Sequence, residues 1–206
     1  MPFDLSLYLV TDAALCEDYG LEQTVEAAIR GGVTMVQLRD KHADDEHMVA
    51  QAKRLKALLA GSGVPLIIND RLGVALASQA DGLHIGQSDA AAQEARAAMG
   101  ENAIIGLSIN TLAQLQAAPM TLLNYVGIGP VFATVSKRDH AQPIGFGGLA
   151  SLVKECPLPS VAIGGLNASH SSAVKRAGAS GLAVISAICG QPDPEIAARA
   201  FAHSEQ

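Results

Sequence analysis

Polar residues that could do chemistry recur at corresponding places in this chain, each just past a short apolar run. Thr34-Met35-Val36-Gln37-Leu38 is followed by Arg39, Asp40 and Lys41. If that run is a strand, alternation puts Gln37 and Arg39 on one side, joined by Lys41 if the chain stays extended. Arg supplies a bidentate fork and Lys a point charge, so the pair suits a phosphorylated ligand; the same cations could equally form a solvated rim paired with Asp40 or Asp44. Leu66-Ile67-Ile68 leads into Asn69-Asp70-Arg71, and Gly82-Leu83-His84-Ile85 leads into Gly86-Gln87-Ser88-Asp89. Asn, Asp and Ser ahead of a helix are ordinary N-caps. At adjacent strand ends beside the cations, however, Asp70 and Asp89 make sense around phosphate if Mg2+ bridges them. Ser108 closes the next run and could donate to a phosphate oxygen or serve as a cap.

Further along, the stretch from Gly129 to Gly148, GPVFATVSKRDHAQPIGFGG, has no periodicity. It carries Thr134, Ser136, Lys137 and Arg138, hydroxyls and cations that suit a lid over phosphate, and a loop of that length in a small domain is usually functional. Gly164-Gly165 and Ser186 follow the last two apolar runs. Glycines let backbone N–H groups approach an anion, although a Gly pair also serves a tight turn. His84 alternates into an apolar run and is expected to be a satisfied core histidine. The histidines show no paired zinc spacing, and no G-x-S-x-G or Walker loop occurs, so acyl transfer and nucleotide hydrolysis lose support.

These positions need a scaffold that delivers eight strand ends to one mouth. Apolar runs at 7–10, 34–38, 66–68, 82–85, 104–107, 125–128, 161–163 and 182–185 alternate with helical patterns over about 21–30, 44–60, 71–77, 89–99, 111–117, from about 147, 168–177 and after Pro192. Eight units with short right-handed crossovers and no G-x-G-x-x-G after the first strand predict a single (β/α)8 barrel over residues 1–206, with chemistry at the carboxyl ends of its strands and an active-site loop at 129–148. The 206 residues, 49% hydrophobic, suffice for one core and are too few for two ordinary domains. A formal charge of −6 and 3% aromatic residues argue against a nucleic-acid surface. The N-terminal Met1-Pro2-Phe3-Asp4 has no basic region and no apolar stretch reaches 18 residues, so neither a signal peptide nor a membrane span is expected. Cys16, Cys156 and Cys189, scattered and odd in number, point to a reducing, cytoplasmic setting. Two anion pockets at one mouth suggest a transferase with a pyrophosphorylated donor and a phosphorylated acceptor. Both partners would be small molecules, and self-association is left open.

The motifs YLVTD (8–12), GGVTMVQLRDK (31–41), PLIINDR (65–71), ADGLHIGQSD (80–89), IIGLS (104–108), YVGIGPVFATVSK (125–137), VAIGG (161–165) and LAVISAI (182–188) resemble, in order and over nearly the whole chain, the thiamine phosphate synthase family. The resemblance implies condensation of 4-amino-2-methyl-5-hydroxymethylpyrimidine pyrophosphate with hydroxyethylthiazole phosphate, releasing pyrophosphate through a dissociative step. By motif, Gln37, Leu38, Arg39, Asp40, Lys41, Asn69, Ser108 and Lys137 would hold the pyrimidine pyrophosphate, with Lys137, Arg39 and Ser108 acting on the leaving group. Asp70 and Asp89 resemble the ligands of Mg2+, the implied cofactor. Thr134, Val135, Ser136, Gly165, Ile185 and Ser186 resemble the thiazole phosphate contacts, Ser136 standing where many relatives have Thr. A thiazole tautomerase shares the barrel but would carry a histidine base after the fifth strand, where this chain reads Ser108-Ile109-Asn110-Thr111. A phosphosugar isomerase would need a catalytic Glu at a strand end, and none is evident; a non-catalytic phosphate-binding barrel stays open as the other class.

Overall fold

Eight parallel strands close on themselves in chain order, the eighth pairing with the first. In the computed structural model, which describes residues 3–87, 89–134 and 141–203, they are β1 (Leu7–Val10), β2 (Met35–Leu38), β3 (Leu66–Asn69), β4 (Gly82–Ile85), β5 (Ile104–Ile109), β6 (Tyr125–Ile128), β7 (Ser160–Ile163) and β8 (Gly181–Val184). The helices between and after them are α1 (Leu21–Arg30), α2 (Asp45–Leu59), α3 (Leu72–Ser78), α4 (Asp89–Met99), α5 (Leu112–Ala117), α6 (Gly145–Glu155), α7 (Ser171–Arg176) and α8 (Pro194–His203). This is the (β/α)8 barrel expected from the periodicity.

Alternation along each strand sorts the apolar residues into two cores. Outward residues such as Leu9, Val36, Leu38, Ile68, Leu83, Ile105, Val126 and Leu182 pack with the helices. Inward residues fill the barrel: Tyr8, Val10, Met35, Ile67, Ile104, Tyr125, Val161 and Ala183 form a separate cluster. Strands buried on both faces explain why the sequence shows continuous apolar runs. At the closure Arg30 Nε donates to Glu195 Oε2 at 2.9 Å, joining α1 to α8. Gly31 lies so close to α8 that a Cβ there would stand 2.5 Å from the Glu195 carbonyl oxygen.

Helix starts differ in a way that matters for the mouth. Asp44 caps α2 by accepting from His47 N at 2.8 Å, and Thr111 and Gln114 form a reciprocal capping box on α5. No side chain caps α3, which begins beyond Arg71, so Asp70 is not spent as a cap. The helix expected over 168–177 is divided: Asn167 and His170 cap each other around one 3-10 turn before α7 begins. The helix expected from about 147 begins earlier, at Gly145. No helix among the described residues is long and apolar enough to cross a membrane.

Candidate active site

The carboxyl ends of the strands open into a cavity of about 660 Å³, within the range of small-ligand sites. Its floor is a line of hydrogen bonds running across the barrel. Gln37 Nε2 on β2 donates to Tyr8 Oη on β1 at 2.7 Å, and Tyr8 Oη lies 2.9 Å from Tyr125 Oη on β6. Tyr125 Oη is 2.9 Å from His84 Nδ1 on β4, and His84 Nε2 is 2.9 Å from Ser108 Oγ on β5. Both tyrosines are fully buried, and burial pushes both phenols well above their ordinary range, so they remain protonated. Two inward glycines make room for the rings. A Cβ at Gly106 would overlap the Tyr125 ring, and one at Gly127 would stand 3.2 Å from His84 Cε1.

One end of the cavity is charged. Arg39, Lys41, Asn69 and Asp70 line it, with Gln37 beneath them. Arg39 Nη1 lies 3.8 Å from Asp12 Oδ2 past the end of β1, so its pairing is with neither Asp40 nor Asp44. Arg71 fastens the neighbouring connections, donating to the Ala43 carbonyl at 2.7 Å and to Asp45 Oδ1 at 2.9 Å. Asp70 has φ of 60°, the left-handed region that a non-glycine residue seldom occupies. Its N–H is held by the His84 carbonyl at 2.8 Å, and its Oδ2 accepts from Asn69 Nδ2 at 2.7 Å. The fold thus turns the chain sharply where it presents this carboxylate. Among the described residues no group of three or more His, Cys, Asp or Glu gathers to hold a metal ion. A carboxylate at the mouth fits an ion such as Mg2+, which takes few protein ligands and completes its octahedron with phosphate oxygens and water.

The opposite end is built from glycine and hydroxyl groups. Thr134, Gly164, Gly165, Ile185 and Ser186 line it. Gly164 and Gly165 have φ of 100° and 63°, open to glycine at little cost. They also lie under the connection after β6: a Cβ on Gly165 would stand 2.6 Å from the Ala133 carbonyl oxygen and 2.8 Å from Phe132 Cβ. Phe132 is itself wedged between Phe146 and His170, each ring 5.1 Å away. The turn after β8 is held by Ile188 N and Cys189 N donating to the Ile185 carbonyl, and by Gln191 Nε2 donating to the Ser186 carbonyl at 2.8 Å.

Of the residues expected at the site, Gln37, Arg39, Lys41, Asn69, Asp70, Ser108, Thr134, Gly165, Ile185 and Ser186 all line this one cavity. The side chains of Leu38 and Asp40 do not. Leu38 alternates outward into the core between strands and helices. Asp40 Oδ1 accepts from His42 N and Ala43 N, closing the turn after β2. Asp89 opens α4, just after β4, and the structure describes its backbone position alone. Val135, Ser136 and Lys137 lie outside the described residues. Ser108 is no cap: it sits within β5, facing inward. His84 is hydrogen-bonded as a core histidine should be, yet it also lines the cavity, as do Tyr8, Gln87, Asn110 and Asn167, which sequence reasoning passed over.

Residues 7–188 match the family model described as thiamine monophosphate synthase. The thiamine-phosphate synthase of Psychrobacter sp. (strain PRwf-1) is 56% identical over 197 residues, spanning 94% of this chain and 92% of the relative. That of Azorhizobium caulinodans is 50% identical over 198 residues, spanning 96% and 93%. The solved thiamine phosphate pyrophosphorylase from Pyrococcus furiosus superposes with a TM-score of 0.86 at 34% identity, covering 97% of this chain and 95% of that one. A 3-hexulose-6-phosphate synthase superposes with a TM-score of 0.66 at 16% identity, covering 97% and 99%, a likeness of fold alone.

Proposed function

The chain belongs to the thiamine monophosphate synthase family, and we propose that it joins 4-amino-2-methyl-5-hydroxymethylpyrimidine pyrophosphate to hydroxyethylthiazole phosphate, forming thiamine phosphate and pyrophosphate. The observation that carries this reading beyond the likeness is one cavity with two unlike ends: Arg39, Lys41 and Asp70 at one, and Gly164, Gly165 and Ser186 at the other. The first suits a pyrophosphate, the second a phosphate monoester at the customary anion site of this fold.

The reaction is dissociative. Electron density from the pyrimidine amino group assists as the C–O bond to pyrophosphate breaks, the bonding pair leaving with the pyrophosphate. The thiazole nitrogen then donates its lone pair to the methylene cation, forming the C–N bond. No protein nucleophile is required, so the side chains work by position and charge. Arg39, Lys41 and Lys137 stabilise the departing anion, and Ser108 donates a hydrogen bond to it. Gln37 and Asn69 hold the pyrimidine ring. Thr134, Val135, Ser136, Gly165, Ile185 and Ser186 make the contacts to the thiazole phosphate, and the 129–148 connection keeps water from the cation. Asp70 and Asp89 would hold Mg2+, which would supply the remaining charge neutralisation for the departing pyrophosphate. A cytoplasmic setting agrees with three free cysteines. The test is an incubation of the purified protein with both substrates and Mg2+, following thiamine phosphate formation; no product under those conditions overturns the reading.

A further inference from the structure

Traced from Gln37, whose Nε2 can only donate, the line of hydrogen bonds on the cavity floor takes one consistent direction. Tyr8 Oη accepts the amide proton of Gln37 Nε2, so its single proton goes to its other partner, Tyr125 Oη. The Tyr125 proton is then directed to His84 Nδ1. An imidazole that accepts at Nδ1 carries its own proton on Nε2, and that N–H points at Ser108 Oγ, 2.9 Å away. The Ser108 hydroxyl, already accepting from His84, turns its proton into the cavity that it lines. The sense of the line is set at Gln37, across the barrel, and delivered to Ser108 on β5.

We propose that His84 is a positioning residue for the transfer reaction: the line Gln37–Tyr8–Tyr125–His84 fixes its Nε2–H tautomer and thereby holds the Ser108 hydroxyl as a donor aimed at the leaving pyrophosphate. This rests on the assignment of Ser108 to the pyrophosphate under Proposed function. The barrel interior is shaped around the device. Inward positions on β5 and β6 are glycine where the Tyr125 and His84 rings pass, and a Cβ at Gly106 or Gly127 would press on those rings. Tyr125 is completely buried and is not among the residues lining the cavity, so it reaches the site only through its two hydrogen-bond partners, His84 and Tyr8. Burial keeps both phenols protonated, as donors in the line must be.

The tautomer can be read directly from the nitrogen chemical shifts of His84 in 15N-labelled protein. A protonated, pyrrole-like Nε2 and a pyridine-like Nδ1 are expected; the reverse pattern overturns the proposal without any variant having to fold. Turnover supplies the second arm. Ser108→Ala should lower kcat on the order of 10²-fold, the scale of losing one preorganised donor to a developing anion. His84→Gln and Tyr125→Phe should each lower kcat by no more than that, with the KM for hydroxyethylthiazole phosphate unchanged. In the Ser108→Ala background neither should cost anything further, because both act through the missing hydroxyl. Fully additive losses would overturn the positioning role while leaving the assignment of Ser108 intact. A silent Ser108→Ala would instead overturn that assignment, and the proposal with it.

Discussion

The ring of Tyr125 occupies the space that a side chain at Gly106 would need: a Cβ built at Gly106 would overlap the ring and its hydroxyl oxygen. The two residues sit on neighbouring strands, paired Gly106 to Tyr125 in the β5–β6 register, so the small residue and the large one share one cross-section of the barrel. Gly106→Ala should therefore destabilise the fold by about 1–3 kcal/mol, the usual cost of overpacking a filled core. Chemical denaturation measures it; an unchanged midpoint would mean that the interior has slack at this level.

Asp70→Asn separates the carboxylate from the turn that presents it. Asn tolerates the left-handed backbone at this position as Asp does, so the fold should survive with a melting temperature near that of the parent. Turnover should fall, and the Mg2+ concentration needed for half-maximal rate should rise. A variant with the parent's Mg2+ dependence would remove Asp70 from the metal site.

Ser186→Ala is the clean probe of the monoester end. Gly165→Val looks like the sharper test from sequence, but a Cβ there would meet Phe132 and the Ala133 carbonyl and shift the connection carrying Thr134. Ser186→Ala should raise the KM for hydroxyethylthiazole phosphate while calorimetric affinity for the pyrimidine pyrophosphate stays within twofold or so, since the proposed function places the hydroxyl against only one substrate. Equal loss for both substrates would contradict the two-ended cavity.

Lys137→Ala should reduce kcat on the order of 10²-fold, as expected for a charge that acts on the leaving group in the transition state. A rise in KM at constant kcat would make Lys137 a binding residue instead.

Much of this site could be read from the chain because a barrel of this kind gathers whatever follows each strand. Gln37 and Arg39 declare themselves by alternation, and Asn69, Asp70, Ser108 and Ser186 by their places after apolar runs. The same alternation puts Leu38 on the opposite face, which its place in the outer core bears out. Asp40 was harder: whether a carboxylate after a strand faces a ligand or closes its own turn depends on the turn, and here it bonds to His42 and Ala43. The partner of Arg39 is Asp12, 27 residues away in sequence, because β1 and β2 are neighbours; nearby Asp40 and Asp44 have other tasks. Tyr8 and Tyr125 were hidden for a further reason. A tyrosine inside an apolar run looks like core, and both are core by burial. Their contact across the barrel arises from closure and stagger, which no local pattern encodes.

One cavity that couples two phosphorylated substrates fixes the stoichiometry of a single reaction. Purified protein, Mg2+, pyrimidine pyrophosphate and hydroxyethylthiazole phosphate are mixed, and pyrophosphate and thiamine phosphate are quantified in the same quenched samples. The two products should appear together in equal amounts, and excess chelator should stop both. Pyrophosphate accumulating without thiamine phosphate, or neither product forming, would contradict that coupling.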